Sequence, residues 1–341
     1  MRTRAGRRWV MLIGVLTVVA ATATAAAVIY PFATPVFGLA AAPDGSLVAA
    51  DAGAGIVEIR NGVGTLMAQL PGVTDVAPIG RGDMFAITSV PFGGEGKLYR
   101  VSRGSTREVA NLLDFETHVN PDGGEIDSDP FDVEALTGGS ALVADAAANA
   151  LLIVNQRGDV DWVASFPNQL VSTDNAKKLF GCPGSGVPQC NLPAMIPAQP
   201  VPTSIAVGPD GSYYVGELKG FPAPKGKSRV WKIDAGARHA VCGSSPACHL
   251  VADGGFTSII DLTFGPDGKL YLVELDKESW LAVETMQATT GSVKVCNPNT
   301  LACSELASLP IVTSATVNTD GSVWAVKNAL IPGAADVVRV H

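Results

Sequence analysis

The clearest pattern along the chain is an apolar run, a Pro-Asp-Gly turn and a second apolar run. Pro202-Thr203-Ser204-Ile205-Ala206-Val207-Gly208-Pro209-Asp210-Gly211-Ser212-Tyr213-Tyr214-Val215-Gly216-Glu217 shows it in full. Proline presets φ near −65° at the first turn position, aspartate bonds back to its own backbone, and glycine takes the positive φ that closes the hairpin. Tyrosine, valine and isoleucine on the flanks favour a pleated, buried surface. The stretch therefore reads as a β-hairpin.

The pattern recurs. Close copies carry Pro43-Asp44-Gly45, Pro266-Asp267-Gly268 and Thr319-Asp320-Gly321, and two weaker ones use Gly80-Arg81-Gly82 and Thr137-Gly138-Gly139. Aligned on their six turn glycines, the copies place Val48, Phe85, Leu142, Tyr214, Tyr271 and Trp324 three residues later. Five residues earlier stand Ala40, Ala77, Ala206, Thr263 and Thr316, with Glu134 as the exception. Further strand signals follow each copy, for instance Ser228 to Ile233 and then the segment from His239 to Val251. Six units of four short antiparallel strands predict an all-β fold, a six-bladed β-propeller. An irregular β-sandwich is the alternative, but its hairpins would not repeat one turn in register. A ring that leaves few sheet edges exposed is expected to be monomeric.

The first thirty residues follow another pattern. Arg2, Arg4, Arg7 and Arg8 precede an uncharged, Ala- and Val-rich run from Trp9 to Tyr30. This is a basic segment followed by an apolar one, with Ala23-Thr24-Ala25 or Ala25-Ala26-Ala27 suited to cleavage. The run also reaches the length of about 20 residues that spans a bilayer. Residues 1–30 thus read as a signal peptide or an uncleaved membrane anchor, and residues 31–341 as the exported propeller. Any membrane contact would be through that segment.

The formal charge of −8 becomes about −12 once the four arginines are removed. An acidic domain lacks the clustered cations that nucleic acid requires. The six cysteines fall in close pairs, Cys182 with Cys190, Cys242 with Cys248 and Cys296 with Cys303. None has Cys-x-x-Cys spacing, and an even count in an exported chain reads as disulfides, here three local ones.

Blade boundaries read as Phe37 to Leu70, Val73 to about Glu116, Pro130 to Phe166, then starts at Pro202 and Ile259 and a sixth blade ending at His341 with three strands. Its outer strand must come from Tyr30 to Val36 or be missing. An insertion at about 168–200 carries Lys177, Lys178 and the first cysteine pair. Before blade three lies the most acidic loop, with Asp122, Glu125, Asp127 and Asp129. It lacks EF-hand spacing and reads as a solvated turn or a metal loop.

Two positions carry the candidate chemistry. Seven residues before each turn glycine stand Gly38, Asp75, Asp132, Ser204, Asp261 and Ser314, and six residues after it stand Asp51, Thr88, Asp145, Glu217, Glu274 and Lys327. If the two sets meet at one channel mouth, seven carboxylates converge there. Asp75, Asp132 and Asp261 are then candidate ligands for a hard cation, Ca²⁺ ahead of Mg²⁺. Ser204, Glu217, Glu274, Ser314 and Glu134 are candidate ligand-binding residues. The plain alternative is that these aspartates accept backbone N–H bonds as turn caps. Glu134 replaces a small residue and needs a partner or a raised pKa. The four histidines are scattered, and no Gly-x-Ser-x-Gly elbow is present.

The runs Val73-Thr74-Asp75-Val76-Ala77, Asn120-Pro121-Asp122-Gly123-Gly124-Glu125-Ile126-Asp127-Ser128, Pro202 to Gly211, Val215-Gly216-Glu217-Leu218-Lys219-Gly220-Phe221-Pro222 and Phe256-Thr257-Ser258-Ile259 resemble the ScyD/ScyE family over about residues 36 to 341. The resemblance implies an exported bacterial propeller of NHL-like fold, named for members encoded with a pigment pathway, and carries over no catalytic residue. Two functions stand as expectations. One is a non-catalytic module binding a small molecule or protein partner, linked to secondary metabolism through the resemblance. The other is a divalent-metal hydrolase of lactonase type, by analogy with other six-bladed propellers.

Overall fold

Each of the six aligned turn glycines has a positive φ, from 72° at Gly268 to 85° at Gly45. In four turns the preceding aspartate closes the loop by accepting a backbone N–H two residues on: Ser46 on Asp44, Ser212 on Asp210, Lys269 on Asp267 and Ser322 on Asp320. Local chemistry thus fixes the hairpins, and the hairpins fix the blades.

The computed structural model describes residues 28–80, 82–89, 94–184 and 186–341. Up to residue 27 the expected export segment lies outside the described residues. Blade one comprises β1 (Val36–Ala41), β2 (Leu47–Asp51), β3 (Gly55–Arg60) and β4 (Val63–Gln69), and blade two β5 (Val73–Gly80), β6 (Asp83–Thr88), β7 (Lys97–Ser102) and β8 (Ser105–Asn111). Helix α1 (Leu112–Val119) leads to blade three, with β9 (Pro130–Ala135), β10 (Ala141–Asp145), β11 (Ala150–Val154) and β12 (Val160–Ser165). The insertion forms its own hairpin, β13 (Gln169–Ser172) with β14 (Met195–Ala198), enclosing α2 (Asp174–Leu179).

Blade four contains β15 (Pro202–Val207), β16 (Tyr213–Glu217), β17 (Ser228–Ile233) and β19 (Cys248–Phe256). The segment from His239 to Val251 is not one strand. Its first part, β18 (Ala240–Val241), pairs in parallel with β12 as a fifth strand of blade three, and only β19 completes blade four. Blade five contains β20 (Ile259–Phe264), β21 (Leu270–Glu274), β22 (Gly291–Cys296) and β23 (Cys303–Leu309), with α3 (Trp280–Glu284) between β21 and β22.

Blade six has three strands, β24 (Ser314–Val317), β25 (Val323–Lys327) and β26 (Asp336–Arg339). Beside it lies residue 28 rather than a strand from 30–36: the Val28 N–H donates to the Val337 carbonyl at 3.1 Å, and Ile29 bridges to Val63 of blade one. The expected disulfides are present: Cys182–Cys190, Cys242–Cys248 and Cys296–Cys303. No helix among the described residues is long and apolar enough to cross a membrane.

Apolar clusters sit between every pair of neighbouring blades. The position three residues after the turn glycine reaches into these interfaces. Phe85 joins the cluster shared with blade three, Leu142 that with blade four and Tyr214 that with blade five. Each such side chain contributes about 1.5–3 kcal/mol on burial. Tyr214, at 2% exposure, also packs edge-on against Phe264 at 5.2 Å between ring centres. Tyr214→Ala is therefore expected to cost about 3–5 kcal/mol. Denaturant unfolding measures it, and a loss well under that range would show that the blade interface does not depend on this ring.

Candidate functional site

The first strand of each blade lines the axis, and its hydrogen-bond register decides which side chains face the channel. The residue seven before the turn glycine pairs with the residue five after it: Asp75 with Ile87, Asp132 with Ala144, Ser204 with Gly216 and Asp261 with Val273. A β-bulge then shifts the pairing in each of blades one to five. Consequently Thr88, Asp145, Glu217 and Glu274 pair with the outermost residues Val73, Pro130, Pro202 and Ile259. A bulge re-aims side chains and ends regular pairing, so the two candidate sets do not share a site.

Three aspartates do gather at the axis. Each accepts a hydrogen bond from the next blade, to the residue after the equivalent position. Asp75 Oδ2 accepts from Val133 N at 3.0 Å, Asp132 Oδ2 from Ile205 N at 2.5 Å, and Asp261 Oδ2 from Ala315 N at 2.8 Å and from Ser314 Oγ at 2.7 Å. Ser314 Oγ in turn accepts from Leu39 N at 3.1 Å, which closes the ring from blade six to blade one. Gly38 holds the equivalent place in blade one because a Cβ there would lie 2.1 Å from Asp75 Oδ1.

A second row runs beside the first. Thr74, Thr203 and Thr313 donate from Oγ1 to the carbonyls of Pro130, Ile259 and Val36 at 3.0, 2.8 and 2.6 Å.

Below the aspartates, toward the turn face, lies a cavity of about 240 Å³. Asp75, Asp132, Glu134, Asp261 and Ser314 line it, together with apolar groups that include Leu39, Ile205, Leu262 and Phe264. On the opposite side, where the strands begin, only about 10 Å³ remains between residues that include Phe37 and Phe131. Those two rings meet edge to face at 5.2 Å. The cavity thus faces away from the insertion and the acidic loop, both of which lead into strand starts.

Burial, reinforced by neighbouring carboxylates at Asp75, Asp132 and Glu134, sets the protonation of these four acids. Burial, then the charges of Asp75 and Asp261, pushes Glu134 up to about 8. Asp75 rises to about 7 through burial, against hydrogen bonds from Asp132 and Val133. Burial lifts Asp261 to about 6, against bonds from Ala315 and Ser314. Asp132 is raised well above the usual carboxylate range by burial and by the charges of Asp75 and Asp261. The charge of Asp75 thus works against ionisation of Asp132 beside it.

The other candidates lie outside the cavity. Ser204 is fully buried and its Oγ faces the Gly216 carbonyl at 3.4 Å. Glu217 forms a buried ion pair with Lys219 and accepts from Trp231 Nε1 at 2.8 Å. Glu274 accepts from Thr257 N and Ser292 Oγ and pairs with Lys294 at 2.6 Å. Asp51 and Asp145 cap turns, on Ala33 and Gly53 and on Asp129 and Ala148. Among the described residues no three His, Cys, Asp or Glu side chains are grouped to hold a metal ion. The channel aspartates have oxygens committed to neighbouring blades, so a cation there would compete with those bonds.

The insertion is ordered. Asn175 Nδ2 donates to the carbonyls of Ala223 and Glu278, Lys178 pairs with Glu278 at 2.8 Å, and Ala176 and Leu179 pack on Leu281 and Ala282 of α3. It therefore braces the loops of blades four and five and does not border the cavity. Sequence reasoning also missed Glu116, a glutamate of α1 that is 1% exposed.

No family model and no curated protein matches the chain. Solved structures match in fold. A gluconolactonase from Xanthomonas campestris aligns with a TM-score of 0.56 at 11% identity, over 91% of this chain and 87% of the other. A streptogramin B lyase aligns at 0.52 and 14%, over 93% and 96%. The PQQ-bound aldose sugar dehydrogenase of Streptomyces coelicolor aligns at 0.50 and 13%, over 93% and 98%. At such identities the likeness is one of fold.

Because the fold favours the protonated forms of the channel acids, the stability they contribute is full below their ordinary values of 3.8 and 4.5. It is lost as pH rises through about 6 to 8. The melting temperature is expected to fall between about pH 5 and pH 9, and to fall less in Glu134→Gln, which cannot ionise. Equal falls in the two proteins would refute the assignment.

Proposed function

We propose that the chain is an exported, non-catalytic propeller of the ScyD/ScyE kind that binds a small, donor-rich molecule, an amine or a polyol, in the turn-face half of its channel. The observation that carries this is the lining. Four carboxyl groups and Ser314 face one cavity with no lysine, arginine or histidine among them. Such a wall accepts hydrogen bonds and cationic charge, while Leu39, Ile205, Leu262 and Phe264 provide apolar contact. At about 240 Å³ the cavity is smaller than the roughly 300–1,000 Å³ of drug-sized pockets, so the occupant is small. Export is supported by the three disulfides, which suit an oxidising compartment. The ScyD/ScyE resemblance supports a part in secondary metabolism.

A lactonase is the second reading. It is favoured by Asp75 and Glu134, whose pKa values of about 7 and 8 let a carboxyl both give and take a proton near neutrality. A metal-dependent form would need Asp75, Asp132 and Asp261 to exchange bonds with neighbouring blades for a cation.

Calorimetry and thermal shift with a panel of small amines, polyols and aldonolactones test the proposal. Saturable binding is expected, weakened at least about tenfold in Asp132→Asn, whose amide oxygen can still accept from Ile205 N. Lactone turnover is expected to be absent. Turnover lost in Asp132→Asn would replace the binding reading with the enzyme, and no binding to any member of the panel would overturn it.

A further inference from the structure

Away from the channel, the carboxylate of Glu116 is buried with neither oxygen hydrogen-bonded. Buried carboxylates are ordinarily paired or bonded, because an uncompensated charge in the interior is strongly destabilising. Glu116 sits on α1, one helical turn before Asn120, whose left-handed backbone (φ 45°) starts the acidic loop. The Oδ1 atom of Asn120 is likewise buried and without a partner, while its Nδ2 donates to the Gly124 carbonyl at 3.0 Å. Two neighbouring residues thus present three uncommitted oxygens.

The surroundings are negative. Burial, then the charges of Asp145, Asp122 and Asp127, pushes Glu116 up to about 7. Asp145 is taken up by Ser128, Asp129 and Ala148, and Asp122 by Gly124 and Asn149. Asp127 makes a single bond, accepting from Ser128 N at 2.9 Å, and its side chain is exposed at the loop. None of these three carboxylates, nor Glu116, takes part in an ion pair among the described residues.

From this arrangement we infer that the loop between α1 and β9 is a calcium site, with both carboxylate oxygens of Glu116, Oδ1 of Asn120 and the carboxylate of Asp127 as side-chain ligands. The donor chemistry selects the ion. All the donors are oxygen, without thiolate or imidazole, which suits a hard cation. Calcium accepts six to eight such oxygens in flexible geometry, with loop carbonyls and waters completing the shell, whereas magnesium demands a near-ideal octahedron. Two carboxylates and an amide oxygen make a site of low charge, so its affinity falls in the weaker range of calcium modules, with Kd on the order of 10⁻⁴–10⁻³ M.

Calcium titration of the purified full chain, after EDTA and dialysis, tests this by calorimetry and by melting temperature. One site is expected, with a melting temperature that rises with CaCl2 and returns in EDTA. Glu116→Gln is expected to weaken binding at least about tenfold, while melting in EDTA at or above the wild-type temperature because a buried charge is gone. That control separates a lost site from a misfolded protein. Asp127→Asn should weaken binding too, and Asp132→Asn in the channel should leave the calcium response intact, so failure here is distinct from failure of the channel reading. A calcium response unchanged by Glu116→Gln, or no response at millimolar calcium, would overturn the inference and leave Glu116 as a protonated buried acid.

Discussion

A ring of blades holds only if every junction near its axis holds, and there the strands of adjacent blades do not pair with one another. Their buried N–H and C=O groups would go unpartnered, at about 1–3 kcal/mol each. In this chain side chains supply the partners: Asp75, Asp132, Asp261 and Ser314 accept N–H bonds, and Thr74, Thr203 and Thr313 donate to carbonyls. The channel acids are therefore structural first, and whatever chemistry they offer comes from the oxygens that remain. This constraint favours recognition over turnover, because an acid that holds two blades together is poorly placed to change partners during a reaction.

Much of the fold was legible because its signals are local. A glycine with positive φ, an aspartate two residues before its hydrogen-bond donor and a cysteine six to eight residues from its partner each announce themselves within one turn. Repetition then multiplied a weak signal into a blade count. The axial position was legible too, since Asp75, Asp132 and Asp261 recur in one register. What Glu217 and Glu274 do was not, because a bulge leaves no residue signature and yet moves every side chain beyond it. The parallel pairing of Ala240 and Val241 with blade three was equally hidden, being two residues long and made by a neighbouring blade.

Helix α1 had a readable start in Asn111, whose side chain accepts from the Asp114 N–H, and a readable end in Asn120. The burial of Glu116 was not readable, since it depends on tertiary packing that leaves no local residue signature. The insertion gives the complementary case. Its disulfide foretold order, but only its contacts with α3 reveal that it braces blades four and five at the face away from the cavity.

The circle is completed by contacts between the two ends of the described chain, with Val28 bonded to Val337, Val36 to Ala329, and Leu39 to Ser314 about 275 residues away. Such long sequence separation slows folding, because chain entropy must be surrendered before the distant contact rewards it. A nascent chain therefore carries five blades with two raw flanks until residues 310–341, about thirty in number, emerge. If the domain crosses a membrane unfolded, that seam can form only on the far side, so the order of the sequence itself delays assembly until delivery is complete.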